Sequence, residues 1–209
     1  MNGVRATKLP RLVLVADRFV DPVVADRVGE AVEAGVTWVQ LRDHEADACA
    51  FGAAAGDLVR RLRRIDSDVL ISVNSRPDLA GAGIEGVHVG HRGPSVQSVR
   101  AVIDPRVVLG YAAHSIEAAR IAAMEGADYV FFSPVFPTTS KPGAPAAGLD
   151  ALAACAAAVD IPVFALGGIT PDRVPACLEA GAYGVAVLSG ILTAEDVAEA
   201  VGLYVEFLD

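Results

Sequence analysis

The chain has 209 residues, enough for one well-buried domain and cramped for two. Hydrophobic residues make up 53 % of it, charged residues 21 %, and the formal net charge is −9. That balance excludes a disordered or solvated chain and speaks against a polyanionic partner, which needs clustered Lys and Arg to displace counterions from phosphates.

The basic cluster Arg60, Arg61, Arg63 and Arg64 reads as the solvated end of a helix, where cations suit the dipole, with a polyanion site as the alternative. The longest uncharged stretch, Ala180 to Ala194, is short and broken by Gly181, Gly184 and Gly190, so no membrane span is expected. The N-terminal segment has no apolar core followed by a small-residue cleavage site, and the expected location is the cytoplasm. Cys49, Cys155 and Cys177 are odd in number and lie in alanine-rich helical pattern, so they are expected to be core thiols rather than disulfide or zinc ligands.

Apolar runs of strand length alternate with longer periodic segments along the whole chain, the pattern of a parallel sheet built from βα units. The expected strands are Leu12–Ala16, Thr37–Leu41, Val69–Val73, Gly86–Val89, Val107–Gly110, Tyr129–Phe132, Pro162–Ala165 and Gly184–Leu188. Nearly every residue in them is apolar, as in strands covered on both faces. The expected helices are Asp21–Ala34, Ala46–Ile65, Ser115–Glu125, Thr170–Ala180 and Ala194–Leu208. A phrase recurs ahead of several strands, in Glu33-Ala34-Gly35, Glu125-Gly126 and Glu179-Ala180-Gly181, where glycine accepts the left-handed turn that closes a helix. Eight such units over residues 1–209 predict an α/β fold, a single (βα)8 TIM barrel in one domain. A Rossmann domain is the rival, but Val15-Ala16-Asp17-Arg18 follows the first strand where a glycine-rich fingerprint would stand.

In such a barrel the active site lies at the C-terminal ends of the strands, which selects a short list of polar residues. It holds Arg42 after strand two, Asn74 after strand three, His88 and His91 around strand four, and His114 after strand five. The loop Ser133–Gly148 follows strand six, Gly167 and Gly168 strand seven, and Ser189 and Gly190 strand eight. The two glycine turns can present several backbone N–H groups to one phosphate, or they are merely tight turns. In the proline-rich loop Lys141, with the hydroxyls of Thr138, Thr139 and Ser140, could hold a second anion or be a surface lysine. His114 could exchange protons with a substrate carbon, or it simply precedes a helix capped by Ser115. His88, inside a strand pattern, reads as a satisfied core histidine.

Seven segments in order resemble the thiamine phosphate synthase and TenI family: Leu14-Val15-Ala16-Asp17-Arg18, Val39-Gln40-Leu41-Arg42-Asp43, Gly86-Val87-His88-Val89-Gly90, Gly126-Ala127-Asp128-Tyr129-Val130, Ser133-Pro134-Val135-Phe136-Pro137-Thr138, Ala165-Leu166-Gly167-Gly168-Ile169 and Gly184-Val185-Ala186-Val187. The resemblance covers nearly the whole chain. It implies a thiamine-pathway barrel acting on a small-molecule thiazole phosphate, with no nucleic-acid or membrane partner, and leaves room for a homo-oligomer.

The family's synthases carry Asn-Asp where this chain has Asn74-Ser75, and Gly-Gln-Glu-Asp where it has Gly90-His91-Arg92-Gly93. Those two aspartates hold the magnesium that neutralises a pyrophosphate leaving group, and a hydroxyl and a glycine do not replace them. Ala112 stands for the serine that meets the pyrophosphate, and His44 for a lysine two places after the strand-two arginine. What is left resembles TenI-type thiazole tautomerases, which aromatise a thiazole carboxylate phosphate by moving a proton, with no metal or other cofactor. The resemblance implies His114 as the acid-base residue and Arg42, Asn74, Thr138, Ser140, Lys141, Gly167, Gly168, Ser189 and Gly190 as the substrate and phosphate site. Two alternatives stay open: a synthase with magnesium ligands relocated to Asp43, Asp78 or Glu85, and a non-catalytic phosphate-ligand regulator.

Overall fold

In a computed structural model the described residues are 9–90, 92–138, 143 and 145–208. Eight parallel strands close into a barrel in sequence order, β1 pairing with β8. They are β1 (Leu12–Asp17), β2 (Trp38–Arg42), β3 (Leu70–Asn74), β4 (Gly86–Val89), β5 (Val108–Ala113), β6 (Tyr129–Phe132), β7 (Val163–Leu166) and β8 (Gly184–Val187). Every expected strand is present, with ends displaced by at most one residue except that β5 runs three residues beyond Gly110 to Ala113, because burial on both faces writes a mostly apolar run into the sequence.

The helices are α1 (Pro22–Glu33), α2 (Ala48–Ile65), α3 (Val96–Arg100), α4 (Ile116–Met124), α5 (Gly148–Ala156), α6 (Val174–Glu179), α7 (Ser189–Leu192) and α8 (Val197–Val205). Asp21, Asp47, Ser95, Ser115 and Asp196 cap five of them with side-chain oxygens that accept a backbone N–H. The recurring glycines Gly35, Gly126 and Gly181 have φ of 111°, 97° and 88°, the left-handed turn expected of them. Two short helices, α3 and α5, are not separately legible in the sequence, and after β3 a 3-10 turn (Pro77–Leu79) stands in place of a helix. The segment read as one helix over Thr170–Ala180 divides into a 3-10 turn, Pro171–Arg173, and α6, with Pro175 in the first turn of the latter.

One apolar layer lies between strands and helices and a second fills the barrel interior. Inside, the Trp38 ring meets Tyr129 edge-on with centroids 4.9 Å apart and Phe164 at 5.4 Å, while its Nε1–H donates to Ser72 Oγ at 3.0 Å. Cys155 and Cys177 are buried, and burial pushes both thiols up to about 11. Cys49 corrects the expectation of three core thiols: it is exposed, because the buried face of α2 runs through Phe51, Ala55, Leu58, Val59 and Leu62 and Cys49 is off that stripe. The arginine cluster is a helix end, with Arg60, Arg61 and Arg63 paired to Asp57, Asp26 and Glu85. Among the described residues no helix is long and apolar enough to cross a membrane.

Candidate active site at the barrel mouth

The C-terminal strand ends bring Asp17, Arg42, Asn74, His114, Ser133 and the turns after β7 and β8 to one rim. Arg42 ends β2, where its main-chain oxygen accepts the N–H of Arg18 at 2.8 Å. Its side chain is tied on two sides. Nη1 pairs with Asp17 Oδ1 at 2.7 Å, and Nε–H donates to His44 Nε2 at 3.0 Å. Asp17 ends β1 and satisfies the strand-end rule as well as Arg42 does, although the expected site does not include it.

His114, just past β5, is exposed, and its Nδ1 lies 2.6 Å from the main-chain oxygen of Ser133 and 3.3 Å from Ser133 Oγ. A carbonyl can only accept, so Nδ1 carries the proton and Nε2 is left with the lone pair. Ser115 caps α4 by accepting from Ala118 N–H at 3.1 Å, so the capping and the strand-end roles fall to neighbouring residues. His88 is the buried core histidine its pattern implies: Nδ1 sits 3.1 Å from the Tyr129 hydroxyl and the ring stacks on Phe131 with centroids 4.4 Å apart. Desolvation, with the nearby Arg42 charge, pushes its pKa down to about 3.

The glycine pair after β7 is tightly enclosed. Gly167 and Gly168 have φ of 97° and 66°, and a Cβ on Gly168 would stand 2.9 Å from the Phe136 Cβ. The β6 loop lies directly over the pair, with Phe136 N–H donating to Gly167 O at 3.0 Å. Arg173 ties the two together, donating from Nη1 to Gly168 O at 2.6 Å with its guanidinium 4.6 Å from the Phe136 ring centre. Tyr204 of α8 joins the other turn, since its hydroxyl donates to Ile169 O at 2.9 Å and a Cβ on Gly190 would collide with that hydroxyl. The two glycine turns are therefore neighbours. Among the described residues the N–H groups of Gly168, Ser189 and Gly190 have no hydrogen-bond partner. Neither Arg173 nor Tyr204 carries a local signal, because each reaches the site from an element beyond the strand it supports.

Asn74 and Thr138 are half-buried, Asn74 at the end of β3 and Thr138 on the β6 loop. His91, Thr139, Ser140 and Lys141 lie outside the described residues. The proposed replacement magnesium ligands are not assembled. Asp43 Oδ1 accepts the N–H groups of Glu45 and Ala46, and Asp78 pairs with Arg76 at 2.8 Å. Glu85 lies at the opposite end of the barrel, ahead of β4, where it accepts from Ile71 N–H and pairs with Arg63. Ser75 has φ of 56° and, like Gly93, offers no carboxylate. The described residues do not fit a two-carboxylate magnesium site, and no group of three or more His, Cys, Asp or Glu among them could hold a metal ion.

Residues 12–191 match the family described as Thiamine monophosphate synthase. A thiamine-phosphate synthase of Haloarcula marismortui is 41 % identical over 192 residues, covering 90 % of this chain and 88 % of that protein. One of Gloeobacter violaceus is 35 % identical over 202 residues, 95 % of this chain but only 58 % of that longer protein. The structure of thiamine phosphate pyrophosphorylase from Pyrococcus furiosus superposes with a TM-score of 0.82 at 31 % identity, covering 95 % of each chain. The first two are named as synthases and the third as a pyrophosphorylase; none of the names carries the tautomerase expectation. The shared barrel, the mouth built on its strand ends and these matches make this chain a member of the thiamine monophosphate synthase family.

Proposed function

We propose that this member of the family works in thiamine biosynthesis as a metal-independent thiazole phosphate tautomerase. The observation that carries the reading is the mouth beyond β3 and β4, where Ser75 and Gly93 stand at the positions that the resemblance assigns to two magnesium-binding carboxylates. The groups that remain suit a proton shift. The amides of Gly168, Ser189 and Gly190 take the substrate phosphate. Arg42 faces a second anionic group. His114 Nε2 removes the proton from the ring carbon and returns it to the exocyclic carbon, so one C–H bond breaks as another forms. Donation of Nδ1–H to Ser133 O holds the imidazole in the tautomer this needs.

A second reading, thiamine phosphate synthesis from a pyrimidine pyrophosphate and a thiazole phosphate, is favoured by the names of the relatives at 35 % to 41 % identity. One experiment separates the two. Purified protein is incubated with the thiazole carboxylate phosphate tautomer alone, and separately with the synthase substrate pair and magnesium. Aromatisation unaffected by a chelator supports the tautomerase; magnesium-dependent thiamine phosphate in the second tube, with none of the first reaction, replaces it with the synthase.

A further inference from the structure

We propose that His44 is a positioning residue that fixes the Arg42 guanidinium at the mouth through the lone pair of its Nε2. A guanidinium never gives up its protons in a protein, so the 3.0 Å contact between Arg42 Nε and His44 Nε2 has only one polarity: arginine donates and imidazole accepts. His44 must then be neutral, with its proton on Nδ1. The ion pair from Nη1 to Asp17 holds the far end of the fork at 2.7 Å, and the Nε bond removes rotation about the end of the side chain. Two contacts on different nitrogens set the plane of the fork and leave the Nη2 edge, with no hydrogen-bond partner among the described residues, to a ligand anion.

A lysine at this position, as the resemblance gives for synthases, has donors only and would push against Arg42 instead of orienting it. Protonated His44 would do the same. The other charges around the pair are Asp17 from β1, Asp43 from the β2 loop, turned to the N–H groups of Glu45 and Ala46, and Glu45, paired with Arg18. Deeper in the barrel Arg42 acts on His88, which stays neutral. The imidazole of His44 is the one side chain of this group that turns from hydrogen-bond acceptor to donor at Nε2 when it takes up a proton.

The test uses the full ¹⁵N-labelled chain and reads the Arg42 Nε–H signal and the His44 ring nitrogens by NMR from pH 8 to pH 5. At pH 8 His44 is expected in the Nδ1–H tautomer. On acidification the Arg42 Nε–H shift should move with the midpoint of the His44 ring. In His44→Gln, whose amide oxygen accepts at every pH, that movement should vanish. In His44→Lys the signal should resemble the acidic form throughout. A His44 ring carrying its proton on Nε2 at pH 8, or an Arg42 signal that stays fixed while His44 titrates, overturns the proposal. A kinetic arm rests on the tautomerase reading: KM for the thiazole carboxylate phosphate should rise about 10-fold as His44 is protonated, the scale of one charge-assisted hydrogen bond, with a smaller change in kcat. Absence of any turnover would count against that reading alone, since the NMR result stands without it.

Discussion

The imidazole of His114 and the main chain of Ser133 meet at 2.6 Å across the ends of β5 and β6, so the backbone beyond the next strand helps to set the orientation of a mouth histidine. A carbonyl fixes the tautomer without adding charge. His114→Gln is therefore expected to slow thiazole tautomerisation by about 10² to 10⁴-fold, the usual contribution of one positioned acid-base group. Binding of the phosphate, which we propose rests on main-chain amides of the turns after β7 and β8, should survive. A His114→Gln protein with full activity would remove this residue from the chemistry and leave only its place ahead of α4.

Gly168→Ala should be costly for both fold and ligand. The added methyl would enter a turn at φ 66° and stand 2.9 Å from the Phe136 Cβ, so the expected loss is about 1 to 3 kcal/mol in urea unfolding. Inorganic phosphate, which should protect the native chain against thermal unfolding, should lose that effect in the variant. Protection equal to that of the native chain would place the anion elsewhere.

Magnesium should bind the native chain no more tightly in the presence of a pyrimidine pyrophosphate than free pyrophosphate binds it in solution. The double variant Ser75→Asp, Gly93→Asp should gain a measurable site by calorimetry. Aspartate tolerates the left-handed backbone of residue 75, where φ is 56°. At residue 93 a Cβ finds Gly90 O at 3.1 Å, a tight but adjustable fit. Strong magnesium-dependent binding by the native chain would show that other groups supply the ligands.

Stability should fall with acid partly through His88. Burial lowers its pKa from 6.5 to about 3, so between those values the unfolded chain holds a proton that the folded chain does not. The stabilisation is full above about pH 6.5 and drains away as pH falls toward 3, at up to about 1.4 kcal/mol per pH unit. His88→Gln, able to accept from the Tyr129 hydroxyl, should unfold with a shallower dependence on pH between 4 and 6, by close to one proton. Identical slopes for the two proteins would mean that His88 is protonated in the folded chain.

The barrel is legible because its strands are mostly apolar runs, broken inside only by such residues as Gln40, Ser72 and His88, and the mouth because a strand end is a position that a sequence reveals. Arg42, Asn74, His114 and the two glycine turns could be found that way. The contacts that organise them could not. Asp17 and Arg42 are joined by closure of a parallel pair, and Tyr204 reaches Ile169 from the last helix. Such partners follow from the register and curvature of the barrel, which no local pattern encodes. Cys49 departs from expectation for a related reason: alanine-rich sequence announces a helix but does not say which of its sides faces inward.

The rings of Trp38, Tyr129, Phe131 and Phe164 plug the barrel beneath the mouth. The barrel is thus closed below its mouth. Whatever binds there enters and leaves by the same opening, so a spent ligand and a fresh one exclude each other, and product inhibition of this protein should be competitive with the substrate that occupies the rim. Traffic is then governed by the segments bordering that opening, among them the β6 loop, fastened to Gly168 through Arg173.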